Sequence, residues 1–206
     1  MNQKAKLAEQ KADPAYLTGE QRDPGVSREL LHQRPVSLPA RLRAGDRTAA
    51  AELVDKYYEQ IYLFLRRLGH DRHAGEDLAQ ETFFSAWNHI GQLKDDKALN
   101  GWLYRIAANV SRLHWRRHKH QETVGVERVD IADSGETGPE AAGRREQLEQ
   151  IRDAVAGLPA KLRQTIVLHY MQQLTINEAA DAAGVRQGTF KSRLNRALRA
   201  LKESMT

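Results

Sequence analysis

The sequence predicts an all-α protein with two small helical domains, an N-terminal helical bundle and a C-terminal helix-turn-helix domain, joined by a flexible acidic linker. Three observations predict it. Apolar residues recur at helical spacing from Leu53 onward, with no strand alternation of any length. From Gln121 to Gly143 that period is broken by Gly125, Gly135, Gly138, Pro139 and many acids. From Thr175 to Leu198 the chain has the form of two short helices around a glycine turn.

Residues 1–36 are polar and rich in breakers (Pro14, Gly19, Pro24, Gly25, Pro35), which reads as a flexible extension. Residues 37–120 form the first domain, 121–143 the linker and 144–206 the second domain. Order begins near Leu38. Asp46 is placed to cap a helix from Arg47 to Leu68, whose apolar residues Leu53, Tyr57, Ile61, Phe64 and Leu68 share a face and which Gly69 ends. A second helix runs from about Ala74 to Ile90 and buries Ala79, Thr82, Phe83, Ala86, Trp87 and Ile90. Gly91 opens a polar loop to about Lys97. A third helix runs from about Leu99 to His118, with Leu99, Trp102, Leu103, Ile106, Val110 and Leu113 facing the core. After the linker, helices are expected over Arg144 to Ala156, Ala160 to Gln172, Thr175 to Ala183 and Gln187 to Ser204. Pro159 suits a helix start.

Composition fits this plan. The 206 residues are 40% hydrophobic, 6% aromatic and 29% charged, which suits small domains with large solvated faces better than one deep core. The net charge of +5 is mild, but its distribution is uneven. Arg105 to His120 holds Arg105, Arg112, Arg116, Arg117 and Lys119 and no acid, and Arg186 to Lys202 holds Arg186, Lys191, Arg193, Arg196, Arg199 and Lys202 and no acid. Between them, Glu122, Glu127, Asp130, Asp133, Glu136 and Glu140 face only Arg128. Two basic helices on an acidic strap suit a polyanion bound at two places, although solvated helix faces explain the charge alone equally well. The chain has no cysteine, so disulfides, thiol nucleophiles and Cys-based zinc sites are excluded. It has no apolar run near the ~18 residues of a membrane span and no signal-peptide core, so a cytoplasmic protein without direct membrane insertion is expected.

Three surfaces carry the functional reading. In the helix-turn-helix, Thr175 and Glu178 form a capping-box pair, Ala180 is small where helices cross, and Gly184 suits a turn with positive φ. Val185 and Phe190 plug the angle between the helices. The second helix presents Gln187, Thr189, Lys191, Ser192, Asn195 and Arg196, which can reach base edges and phosphates in a major groove. A plain helical hairpin explains the apolar positions but not the acid-free basic helix. On the third helix, Arg105, Asn109, Arg112 and Arg116 are spaced by four, three and four and form one polar stripe, flanked by Tyr104, Ser111 and Trp115. Arginines and an amide beside exposed aromatics suit single-stranded DNA, while a solvated face is the ordinary alternative. On the second helix, Glu76, Asp77, Gln80 and Glu81 make an acidic-amide face with Phe84 beside it, which suits protein docking or, more simply, surface charge near a helix N-terminus.

At these residues the chain resembles the extracytoplasmic-function (ECF) sigma factors. Glu76-Asp-Leu-Ala-Gln-Glu-Thr-Phe83 resembles their polymerase-docking segment, and Trp102-Leu-Tyr-Arg-Ile-Ala-Ala-Asn109 resembles the helix of their −10 domain. Leu158-Pro159 through Leu198 resembles their −35 domain, with Gly188-Thr-Phe-Lys-Ser-Arg-Leu194 at the recognition helix. The resemblance implies a monomer that binds core RNA polymerase and promoter DNA and answers to an anti-sigma factor. Glu76, Asp77, Gln80, Glu81 and Phe84 would meet polymerase. Arg105, Asn109, Arg112 and Arg116 would hold the non-template strand at the −10 element, with the Gly91 to Lys97 loop holding a flipped base. Gln187, Thr189, Lys191, Ser192, Asn195 and Arg196 would read the −35 element. Two departures stand out: Ala179 and Ala183 are small where the family has bulkier apolar residues, and Phe190 is larger than the usual Val. A repacked helix-turn-helix core is expected, with Phe190 filling the space left by the alanines.

Other chemistry finds no support in the sequence. His114 and His118 stand one turn apart with His120 nearby, but Arg116, Arg117 and Lys119 would repel a cation, and His70 and His73 have no evident third ligand. Phosphate loops, a Ser-His-Asp order and a zinc-protease helix are absent, so neither a cofactor nor an enzymatic role is expected. The rival readings are a stand-alone helix-turn-helix regulator and a helical adaptor that binds only protein.

Overall fold

The computed structural model describes residues 36–118 and 139–205. The expected N-terminal extension and the linker up to residue 138 lie outside the described residues. Every described element is helical.

Ser37 starts α1 (Leu38–Arg43) by accepting a hydrogen bond from the Ala40 amide at 3.3 Å. Asp46 then caps α2 (Arg47–Arg67), accepting from the Thr48 amide at 2.8 Å. Arg41 ties α1 to this cap, donating through Nε to Asp46 at 2.9 Å and through Nη1 to Glu52 at 2.6 Å. The third helix, α3 (Arg72–His89), starts two residues before the expected Ala74. The cause is Asp71, whose carboxylate accepts from the Ala74 amide at 2.8 Å and so acts as the cap. Two 3-10 turns, Ile90–Gln92 and Asp96–Ala98, occupy the expected loop and lead into α4 (Leu99–Arg117).

The second half begins with α5 (Pro139–Gly157), which extends upstream of the expected Arg144. Proline is tolerated in a first helical turn, and Glu140, Ala141 and Ala142 are strong helix formers, so the helix starts inside the acidic stretch. A short α6 (Ala160–Ile166) widens into a π-turn over Val167–Met171. Then come α7 (Ile176–Ala183) and α8 (Gln187–Ser204).

The first bundle packs α2, α3 and α4 around Ile61, Phe64, Leu65, Ala79, Ala86, Leu103 and Ala107, all at most 1% exposed. Each large apolar side chain among them contributes about 1.5–3 kcal/mol by leaving water. The second packs α6, α7 and α8 around Val167, Leu168, Ala180, Phe190 and Ala197. Phe190 is fully buried, as the expected repacking requires. The two halves also touch, with α4 lying along α7, and the described residues form one compact unit.

Three expectations about α4 need correction. Leu113 is 43% exposed and does not face the core. At its level the corner between α2 and α3 supplies His70, which meets Ser111 and His114 instead. Ser111 is therefore buried. Tyr104 is also buried, at 2% exposure, and is not an exposed aromatic beside the polar stripe. Its ring packs edge-on to Phe64 at 5.2 Å and its flank is covered by the second half of the chain, where its hydroxyl donates to Gln172.

Candidate nucleic-acid and docking faces

The stripe on α4 is intact: Arg105, Asn109, Arg112 and Arg116 are all exposed, between the buried Tyr104, Ala108 and Ser111 on one flank and Ile106 and Val110 on the other. Four residues spaced by four, three and four cover about 16 Å of helix at 1.5 Å per residue, the reach of several nucleotides. Asn109 is held by Arg112, whose guanidinium donates to the amide oxygen. Trp115, 37% exposed, remains at the edge of the stripe as a stacking surface.

What holds the far end of the stripe in place is a buried polar contact. His70 is 3% exposed, and its Nε2 pairs with Ser111 Oγ at 2.7 Å. Its ring stacks on Trp115 at 4.8 Å between centroids and meets His114 edge-on at 5.0 Å. Burial, together with the neighbouring His114, pushes the His70 pKa down to about 4. The imidazole is thus neutral, and it orients α4 without adding charge to the stripe. His118 stacks on His114 at 4.1 Å, and among the described residues no group of three or more His, Cys, Asp or Glu is placed to hold a metal ion. His120 lies outside the described residues.

The face on α3 is also at the surface. Asp77, Gln80, Glu81 and Phe84 are exposed, and Phe84 is 70% exposed although it is a large apolar side chain. Glu76 is half-buried and accepts from Arg72 Nε at 3.0 Å, so it is the least available of the set. An exposed phenylalanine rimmed by Asp77 and Glu81 is the pattern of a small protein contact.

The loop before α4 is braced on α1. Asp95 caps the second 3-10 turn by accepting from the Lys97 amide at 2.9 Å. Asp96 is bonded to the Ser37 hydroxyl and paired with Arg43, and these contacts hold its carboxyl below the usual range. Gly91, Gln92, Lys94 and Lys97 point outward around the buried Leu93.

On α8 the six expected side chains, Gln187, Thr189, Lys191, Ser192, Asn195 and Arg196, are all exposed. Opposite them, Phe190, Leu194 and Ala197 are buried. The presentation depends on the turn before the helix. Thr175 and Glu178 close a complete capping box on α7, with the Thr175 amide donating to Glu178 at 2.9 Å. Gly184 then takes φ +67°, a conformation that costs any residue with a Cβ about 1–2 kcal/mol.

The contacts between the halves were not foreseen. Arg163 on α6 donates to the Leu68 carbonyl at 3.2 Å, and Gln172 receives the Tyr104 hydroxyl. Gly101 in the middle of an otherwise good helix, and the alanines of α7, are the sequence signals that could have pointed to a close helix crossing.

Two family models match the chain. Residues 53–121 match the model for Sigma-70 region 2, and residues 148–201 match the model for Sigma-70 region 4. The ECF RNA polymerase sigma factor SigW of Bacillus subtilis is 31% identical, over 80% of this chain and 92% of that protein. SigM of Mycobacterium tuberculosis, also an ECF sigma factor, is 31% identical over 75% of this chain and 76% of its own length. Among solved structures, CnrH in complex with the cytosolic domain of CnrY aligns over 82% of this chain and 94% of that one, with a TM-score of 0.60 and 23% identity. The sigma factor RpoE of Bartonella quintana, solved with the anti-sigma factor NepR, aligns over 75% and 95% with a TM-score of 0.57 and 24% identity. The two structures share the fold.

Proposed function

The chain belongs to the extracytoplasmic-function family of RNA polymerase sigma factors, and from that premise we propose how its surfaces divide the work of initiation. As a sigma factor it binds core RNA polymerase and directs it to specific promoters. Residues 37–120 dock and melt, and residues 144–206 read upstream duplex. Asp77, Gln80 and Glu81, with Glu76 at the edge and Phe84 as the apolar anchor, are the polymerase contact. Arg105, Asn109, Arg112 and Arg116 hold the displaced strand of the −10 element, and the braced turn between Gly91 and Lys97 receives an unstacked base. Gln187, Thr189, Lys191, Ser192, Asn195 and Arg196 read the −35 element in the major groove.

The observation that supports this most is the exposure pattern. Every side chain assigned to DNA on α4 and α8 is at the surface, and the opposite faces of these two basic helices are buried. A stand-alone regulator whose first domain senses a ligand leaves the Sigma-70 region 2 match over residues 53–121 unexplained. The factor acts through polymerase and carries no catalysis of its own. It works in the cytoplasm, as an alternative factor under signal control, is a monomer when free, and is restrained by an anti-sigma factor. Among the described residues no helix is long and apolar enough to cross a membrane.

Run-off transcription with purified core polymerase on genomic DNA tests this reading, and promoter-specific transcripts are expected. Asn109→Ala and Arg112→Ala should each reduce open-complex formation on duplex promoters. A template with a pre-melted bubble should recover part of that loss, because opening is already done. Equal impairment on both templates would assign the stripe to plain duplex anchoring.

A further inference from the structure

Beside the seam where α4 meets the second half lies a pocket of about 310 Å³. That is at the lower end of the ~300–1,000 Å³ usual for small-molecule sites. Its wall takes Gln60 and Arg67 from α2, Asn100 and Tyr104 from α4, and Gln172 and Gln173 from the turn after the π-helix. Among the described residues no acid lines it.

The polar chemistry of this pocket is one-sided. The Tyr104 hydroxyl donates to the Gln172 side-chain oxygen, which leaves the Gln172 amide nitrogen buried with no partner. The Nε of Arg67 is also buried with no partner, and among the described residues no carboxylate pairs with its guanidinium. Both unpaired atoms are donors, so the group that suits them is an acceptor. Burial lowers the Arg67 pKa, Tyr104 counters that, and Arg152 on α5 adds to it. An arginine stays protonated through such a shift. Buried charges are ordinarily paired, so an unpaired guanidinium beside an unpaired amide suits an anion. The backbone of the same wall is irregular. The helix widens to a π-turn over Val167–Met171, and Gln173 takes φ +54°, the one non-glycine at positive φ among the described residues. Both departures from regular backbone recur at ligand sites.

We propose that this pocket binds a small organic phosphate. Arg67 holds the phosphate, whose three terminal oxygens offer more acceptors than a carboxylate to donors that come from α2 and from the turn after the π-helix. The amides of Gln60, Asn100 and Gln173 take hydroxyls or ring nitrogens of the organic part. The phosphate comes from a free small molecule and not from DNA, because none of the side chains assigned to DNA on α4 and α8 lines the pocket. Binding here requires neither polymerase nor promoter.

The test uses the full chain alone, with adenosine monophosphate and inorganic phosphate as probes at constant ionic strength. In nitrogen-15 NMR the Gln172 side-chain amide should shift saturably with either probe, and the melting temperature should rise. Arg67→Gln keeps an amide but removes the charge. It should weaken both probes about tenfold or more and abolish the rise. Its melting temperature without probe should hold or increase, because an unpaired buried charge is gone. A merely structural arginine gives the opposite pattern, a lower melting temperature with the probe-induced rise intact, and overturns the site. No saturable shift of the wild-type Gln172 signal with either probe overturns it as well, whether or not the variant folds. Adenosine binding as tightly as adenosine monophosphate, or acetate as tightly as inorganic phosphate, overturns the phosphate assignment. If single-stranded DNA moves the Gln172 signal and the small probes do not, the phosphate belongs to nucleic acid and the small-molecule site is overturned.

Discussion

Mild acid should destabilise this protein through His70, by an amount the structure sets. The unfolded imidazole titrates near 6.5, and the buried one near 4. A depressed folded pKa means that the stability is whole above the unfolded value and is lost as pH falls toward the folded one. The unfolded chain takes up a proton first, and that uptake favours unfolding. The full difference corresponds to about 3 kcal/mol, of which about 2 kcal/mol is lost by pH 5. The groups around the ring act in both directions. His114 adds repulsion to a protonated His70, and Asp71 offsets part of it. Trp115 covers one face of the ring and Ser111 holds Nε2. Urea unfolding followed by circular dichroism at about pH 7 and about pH 5 measures the loss. His70→Gln keeps an amide in reach of Ser111 and cannot titrate, so most of the pH dependence should vanish, leaving the smaller share of His114. A variant that loses as much stability as wild type between the two pH values would refute the reasoning and move the proton uptake elsewhere.

Two further outcomes follow from the exposed faces. Asp77→Lys with Glu81→Lys should weaken binding to core polymerase in pull-down while helix content is unchanged, since both carboxylates are at the surface; undiminished capture would remove this face from the docking site. Arg196→Ala should relax base preference at one or two upstream positions by about 1–3 kcal/mol if its guanidinium reads bases, measured by binding selection with polymerase present, whereas uniform weakening on every sequence marks a phosphate contact.

Much of the fold was legible because it rests on local chemistry. Asp46, Thr175, Glu178 and Gly184 do in the structure what their residue types prescribe, and each acts within a few residues of itself. The starts of α3 and α5 were misplaced for a related reason. Asp71 lies before two residues, Arg72 and His73, that carry no apolar period, and Pro139 looks like a loop residue until a helix is built behind it. Exposure of the three functional faces was legible because each is the polar complement of an apolar stripe. Tyr104, Ser111 and Leu113 were not, because their surroundings are set by residues far away in sequence. His70 draws Ser111 inward, and Gln172 lies 68 residues from Tyr104.

The alanines of α7 show what such distant contacts do to a local reading. Judged within the helix-turn-helix, Ala179 and Ala183 leave space that a larger Phe190 should fill, and Phe190 is indeed fully buried. Yet Ala179, Ala180, Ala182 and Ala183 are all buried, a wider arc than packing against α8 alone requires. The remaining width is taken by α4, which meets α7 where Gly101 has no side chain to hold the two helices apart. The same small residues thus serve two neighbours. Larger apolar side chains on α7 would strengthen the grip on Phe190 while pushing α4 away. That choice ties the shape of the recognition domain to its contact with the first bundle. A substitution such as Ala183→Leu should therefore be felt twice, as overpacking in the reading domain and as a looser seam.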